Sequence, residues 1–280
     1  MKKSSPVWAF SLNHDLIFHI LARHCNIPLR DGFWPDKLLT VTGNRPGTAK
    51  VSVQAEILPE DDLNRGALHL FWQGEFGVNL IRLHGALDIF AFRDGLDLCR
   101  LLPTDSQLGG YLTPLRLLNE EIGYWHRGQK VHPLNEIAYA DESGRMQFLR
   151  RSLLAGAQKF NTRFSQTVPQ KMLELFRSYI NYVQELYVVG YSFGDAHIDL
   201  VIKNWLEFSG ARSMIIVDPR REAVPPQLAH LAPQIAIKRL TAGQFFEGYR
   251  EQPLTLLQKL QQEYRAASRP ALEEKAAKKW

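Results

Sequence analysis

The residues able to do chemistry stand in short stretches, each placed where an apolar run stops. Gly190-Tyr191-Ser192-Phe193-Gly194 has the Gly-x-Ser-x-Gly spacing of a nucleophile elbow, a strand-to-helix turn that exposes a serine hydroxyl for acyl transfer. Leu83-His84-Gly85 could supply the oxyanion loop of such a site. An elbow also needs an acid and then a base later in the chain. In that order the sequence offers Asp218 and His230, only twelve residues apart, while His197 lies too close to the serine along a helix. Asp195, directly after the elbow, would set a carboxylate where neighbouring amides should stabilise an oxyanion. This α/β serine hydrolase reading, with Ser192 as nucleophile, leaves Asn13 and Asp15 without a role.

The elements that must hold these residues follow from the apolar pattern. Leu186 to Val189 is too short for a helix and is bounded by Gly190, so it reads as a buried strand. Asp195 then caps a helix whose Ile198, Val201, Ile202 and Trp205 recur at helical spacing. Gly210 ends that helix, and Met214 to Val217 forms a second strand that stops at Asp218-Pro219. Strand, helix and strand in this order are nearly always parallel and right-handed, and open parallel sheets bind ligands beyond their carboxyl ends. The same arrangement opens the chain. Val7 to Leu12 predicts a strand, Asn13-His14-Asp15 a polar turn, and Leu16, Ile17, Ile20 and Leu21 a helix to about His24. Asp15 could be a helix cap and Asn13 a turn residue, or both could face a ligand. Leu80 to Leu83 predicts a third strand, delivering His84 at its end.

These units imply an α/β fold, a Rossmann-type open parallel sheet with helices on both faces. Residues 26–66 and 92–146 read as loop-rich insertions, the first with short strands near Lys50 to Val53, and Ala67 to Trp72 suggests another. A helix over Val168 to Gln184, a strand over Ile235 to Leu240 and a helix from about Pro253 to Ala267 complete the pattern. The expected division is one α/β domain over residues 1–250, followed by a C-terminal helix and basic tail over 251–280.

The 280 residues are 45% apolar, enough to bury a sizeable core, and the formal charge of +5 could favour an anionic ligand or nucleic acid or simply be a solubilising surface. The tail from Tyr264 to Trp280 carries five basic and two acidic residues but no interleaved stacking aromatics, so nucleic acid is not the expected partner there. Cys25 and Cys99 are far apart and form no Cys-x-x-Cys pair, and His126 and His132 lack ligand spacing, so neither zinc nor any other metal is expected. No apolar stretch reaches membrane-spanning length, and a cytoplasmic protein is expected.

Taken together, Ser11-Leu12-Asn13-His14-Asp15, Leu83-His84-Gly85-Ala86-Leu87, Leu153 to Lys159, Gly190 to Asp195 followed by Ile198, and Val217-Asp218-Pro219 resemble the ordered motifs of the sirtuin-like NAD-binding superfamily. They are similar to its bacterial branch without a zinc ribbon, whose members include NAD hydrolases of antiphage defence. The resemblance implies NAD or an ADP-ribose compound as ligand. It implies that Asn13 and Asp15 face the nicotinamide ribose and carboxamide, and that His84 acts as base on the ribose hydroxyls. It further implies that Gly190, Ser192, Phe193 and Asp195 line the ribose and phosphate path, with Asp218 near the adenosine. The family's glycine-rich phosphate loop, which would precede Asn13, has no counterpart in Met1 to Pro6. Three explanations stay open: a truncated or split coding sequence, a sheet completed by a partner chain or second copy, or a non-catalytic binding protein.

Overall fold

The computed structural model describes residues 5–93, 96–105, 107–134, 136–151, 167–250 and 253–277. The chain divides into two units, one ending at Val183 and one beginning at Gln184. The fold is mixed α/β, and the described parallel strands fall three to each unit.

In the first unit, β1 (Val7–Ser11), α1 (Ile17–His24) and β2 (Leu29–Arg30) are followed by two long antiparallel strands, β3 (Trp34–Thr42) and β4 (Ser52–Leu58). A short helix α2 (Glu60–Arg65) precedes β5 (Val78–Arg82). β5 is the middle strand of a parallel sheet, with β1 on one side and β2 on the other. Trp8 and Phe10 share one face of β1, as alternation requires. They pack on helix α4 (Thr167–Tyr179), Trp8 stacked on Tyr179 at 4.9 Å and Phe10 tilted against Phe176 at 4.8 Å between ring centroids.

The segments expected to be loop-rich hold most of the largest sheet among the described residues. β6 (Ile89–Phe92), β7 (Asp97–Leu101), helix α3 (Leu108–Glu120), the hairpin β8 (Trp125–His126) and β9 (Gln129–Lys130), then β10 (Glu136–Ala140) and β11 (Met146–Arg151) occupy residues 89–151. β3, β4, β7, β6, β11 and β10 close in that order into an antiparallel barrel, the last contact being Ala140 with Thr42. Its interior is filled by Val41, Val53, Phe90, Leu101, Tyr139 and Leu149, with Leu118 of α3 packed in. Cys99 belongs to the same core, and burial pushes its thiol far up, which removes it as a nucleophile. Ala67 to Trp72 is not a strand; only His69 makes a bridge, to Gly32.

The second unit follows the expected strand, helix, strand order. β12 (Glu185–Val189), α5 (Ala196–Phe208), β13 (Ser213–Val217) and β14 (Ile235–Lys238) give a parallel sheet with β13 central. Asp195 caps α5, its Oδ1 accepting the His197 amide hydrogen at 3.3 Å. A capping box between Thr241 and Gln244 starts helix α6 (Ala242–Glu247), an element the apolar pattern does not reveal. The last helix, α7, runs Leu256–Ala277, ten residues further than its apolar stripe predicts. Among the described residues no helix is long and apolar enough to cross a membrane.

Candidate functional site

β1 and β5 are parallel neighbours in a register that pairs Ser11 with Arg82, so the turns that follow both strands leave the same edge of the sheet. Three hydrogen bonds tie those turns together. The Leu83 amide donates to the Ser11 carbonyl at 2.9 Å, the Leu87 amide to the His14 carbonyl at 3.0 Å, and His14 Nδ1 to the Gly85 carbonyl at 3.3 Å. Gly85 adopts φ +77°, a left-handed conformation that side chains disfavour, and this turns the chain directly behind His84. His84 is buried, its ring centroid 6.2 Å from that of His14. Asn13 is exposed and donates its backbone N–H to Ser11 Oγ at 3.2 Å. Asp15 Oδ1 accepts the Ile17 amide hydrogen at 3.0 Å, a local turn bond to the first residue of α1, whose N-cap is Leu16. The structure therefore brings Asn13, Asp15 and His84 to one sheet edge, although 71 residues separate the first from the last.

Beneath these turns lies a buried ionic network that the sequence pattern does not show. Arg82, 3% exposed, donates Nη1 to Asp88 Oδ1 at 2.8 Å and to the Asp15 carbonyl at 3.4 Å. Its Nη2 lies 2.7 Å from His19 Nδ1. A carboxylate can only accept, so His19 Nε2 donates to Asp31 Oδ2 at 3.0 Å and Nδ1 is the ring nitrogen that faces the Arg82 guanidinium. Arg100 Nη1 lies 2.8 Å from the same Nε2 and donates to Asp31 Oδ2 at 2.7 Å, while its Nη2 pairs with Glu56. Burial opposes ionisation of Asp31. The guanidinium of Arg100, the hydrogen bond from His19 and the charge of Arg82 outweigh it and hold the carboxyl well below its usual range. The network joins α1 and β5, which frame the turns, to β4 and β7 of the barrel.

In the second unit the turn after β12 uses left-handed backbone at Gly190, φ +69°, and at Phe193, φ +60°. Phe193 is buried, whereas Ser192 is exposed. The Tyr191 hydroxyl donates to Asp199 Oδ1 at 2.7 Å and also accepts the Asp195 amide hydrogen at 3.2 Å. Burial, then the Asp199 hydrogen bond, push this phenol well up. Gln227 Nε2 donates to Asp199 Oδ2 at 2.9 Å and to the Phe193 carbonyl at 3.3 Å, which fixes the turn from the other side. Tyr191→Phe leaves a buried carboxylate oxygen without its donor. It should lower stability by about 1.5–3 kcal/mol in urea unfolding; a change below about 0.5 kcal/mol would show the bond to be dispensable.

Asp218, at the carboxyl end of β13, accepts the Arg220 amide hydrogen at 2.9 Å and faces Arg221 Nε at 3.7 Å. Arg221 also donates to the Ser192 carbonyl at 3.2 Å and lies over the Phe193 ring at 5.1 Å. It was missed in the sequence because only the fold sets it against the turn after β12. His230 is bonded to Glu207 at 2.7 Å, on the exposed side of α5, rather than to Asp218. The strained position of this turn is Phe193, not Ser192, so neither the histidine nor the backbone of an acyl-transfer elbow is in place. The Leu153 to Lys159 stretch lies outside the described residues. Among the described residues no group of three or more His, Cys, Asp and Glu side chains is arranged to hold a metal ion. Compared with known protein families and with curated proteins, the chain matches none.

Proposed function

We propose that this chain is a sirtuin-like protein that binds NAD or a related ADP-ribose compound, with the turns after β1 and β5 receiving the nicotinamide riboside end. The observation that carries the reading is the joining of the two turns that hold Asn13 and His84 at the carboxyl ends of adjacent parallel strands. The finer reading of the fold, a Rossmann-type nucleotide-binding sheet, belongs to the same proposal. It is supported by the parallel order of both three-stranded sheets and by the β12, α5, β13 unit with glycines in its first turn and Asp218 after its second strand.

The residue types suit cleavage of the nicotinamide–ribose bond. As that bond breaks, its electron pair leaves with nicotinamide and positive charge grows on the sugar. Amide and carboxyl oxygens of Asn13 and Asp15 favour that charge, and a neutral imidazole at His84 can accept a proton from a ribose hydroxyl or from the incoming water. The glycine-rich phosphate loop expected of the resemblance is a separate source of affinity. Binding and turnover are therefore measured apart.

Purified protein is incubated with NAD, nicotinamide release is followed by chromatography, and NAD binding by calorimetry. Asn13→Ala, at an exposed side chain, should weaken binding or turnover at least about tenfold, the effect of losing one charge-assisted contact. Binding and turnover unchanged by Asn13→Ala would remove its assigned role. Reaction of Ser192 with a fluorophosphonate would instead favour acyl transfer.

A further inference from the structure

Outside this site and the C-terminal tail, positive charge gathers in one place. The β3–β4 loop, residues 43–51, and the segment 123–132 that contains β8 and β9 carry Arg45, Lys50, Arg127 and Lys130 and no carboxylate. Four of the formal +5 charges lie there, and the chain outside these stretches and the C-terminal tail is net negative. The fold ties the two stretches together. Asn44 Oδ1 accepts the Trp125 amide hydrogen at 2.6 Å, Asn44 Nδ2 donates to the Trp125 carbonyl at 3.3 Å, and the Asn44 amide donates to the Gly123 carbonyl at 3.3 Å. Gly43 lies so close to the second stretch that a Cβ there would sit 3.4 Å from Ile122 Cα.

On this joint the hairpin projects its tip. Arg127 and Gly128 take φ +50° and +81°, the left-handed pair of a two-residue turn that matches strand twist. Trp125 is opposite Lys130 in the hairpin register, and Arg45 stands over the Trp125 ring at 5.2 Å, so a cation covers the indole. Arg30, Arg65, Arg82, Arg93, Arg100, Arg116, Arg145 and Arg150 all have ion-pair partners. Among the described residues none of Arg45, Lys50, Arg127 and Lys130 is in such a pair. His126 and His132 add exposed imidazoles to the same surface. Large apolar side chains are not exposed in either stretch, so the surface lacks what insertion into a lipid headgroup layer requires.

We infer that this joined loop and hairpin is a sequence-independent binding surface for the phosphate backbone of nucleic acid. Four unpaired cations with an arginine-stacked indole suit a chain of phosphates and bases, since cations release counterions and aromatic faces accept bases of any identity. The surface is independent of the NAD reading and can hold whether or not that reading does.

The test is fluorescence anisotropy of the full chain with short labelled DNA and RNA, single- and double-stranded, across a salt series. Four phosphate contacts on duplex DNA predict a log–log salt slope of about −3.6, so affinity falls about 150-fold between about 50 and 200 mM salt. Arg45→Gln, Arg127→Asn and Lys130→Gln combined should bring the slope to about −0.9, asparagine being chosen because it tolerates the left-handed tip. Arg127→Asn alone, at an exposed turn, should reduce it by about 0.9 and guards against a folding defect in the triple variant. Arg265→Ala with Lys275→Ala, which removes tail charge, should leave the slope unchanged. Binding absent at the lowest salt, a slope indifferent to the hairpin variants, loss of binding through the tail variant instead, or association with phosphatidylserine vesicles but not with nucleic acid would each overturn the inference.

Discussion

Asp31→Asn is expected to lower the stability of the folded chain by about 3–5 kcal/mol, the cost of removing one partner from a buried ion pair. Asp31 is 5% exposed and accepts from both His19 and Arg100, so its loss leaves a guanidinium and an imidazole N–H facing a weaker acceptor. Arg82 Nε and Arg100 Nε are already buried without a hydrogen-bond partner among the described residues, so the network has little satisfaction to lose. Urea unfolding measures the loss. Replacing Asp31, Arg100 and Glu56 together by apolar residues of similar volume should cost less than Asp31→Asn alone, because the ion pairs that Arg100 makes are then removed whole.

The same residue sets a pH dependence. Its folded-state carboxyl is held below the ordinary value of 3.8, so its contribution is fully present above that value and is lost as pH falls through the folded value. Wild-type stability should therefore drop on acidification below about pH 4, and Asp31→Asn should flatten that part of the curve. A mutant curve parallel to the wild type down to low pH would show that Asp31 is not the titrating group.

His84→Gln is expected to lower nicotinamide release by about 10²–10⁴-fold, the usual contribution of a positioned general base. NAD affinity should change far less, because glutamine keeps hydrogen-bonding capacity at a similar reach. Asn13→Ala should show the opposite balance, with a larger effect on binding. If His84→Gln turns over NAD at the wild-type rate, the imidazole is only part of the joined turns and does not act on the sugar.

The parts of the fold that sequence reveals are those whose signals are local. β12, α5 and β13 announce themselves through a short apolar run, a capping Asp195, a helical stripe and a second run, all within one window. β1 and β5 do the same, which is why Asn13 and His84 could be placed at strand ends. The barrel hides because its evidence is not local. β3 has an irregular register between Trp34 and Leu38, where Pro35 interrupts alternation, and its other neighbour β10 comes about a hundred residues later. β6 is buried on both faces and shows no alternation at all.

The ionic network is illegible for the same reason. Arg82, Asp88, His19, Asp31, Arg100 and Glu56 sit on separate elements, and nothing in the neighbourhood of any one of them names its partners. Arg221 is a milder case, since its place against Phe193 depends only on the β12 to β13 unit closing as it does. Asp15 reads in the sequence as a helix cap, but the N-cap of α1 is Leu16 and Asp15 Oδ1 accepts the Ile17 amide hydrogen from one residue earlier.

Ligand binding at the edge formed by β1 and β5 is tested most directly by histidine ring NMR during an NAD titration, which reads binding whether or not the bond is cleaved. The expected result is saturable movement of the His84 and His14 resonances, with His230, held by Glu207, left in place. Millimolar NAD that leaves His84 and His14 unmoved would contradict it.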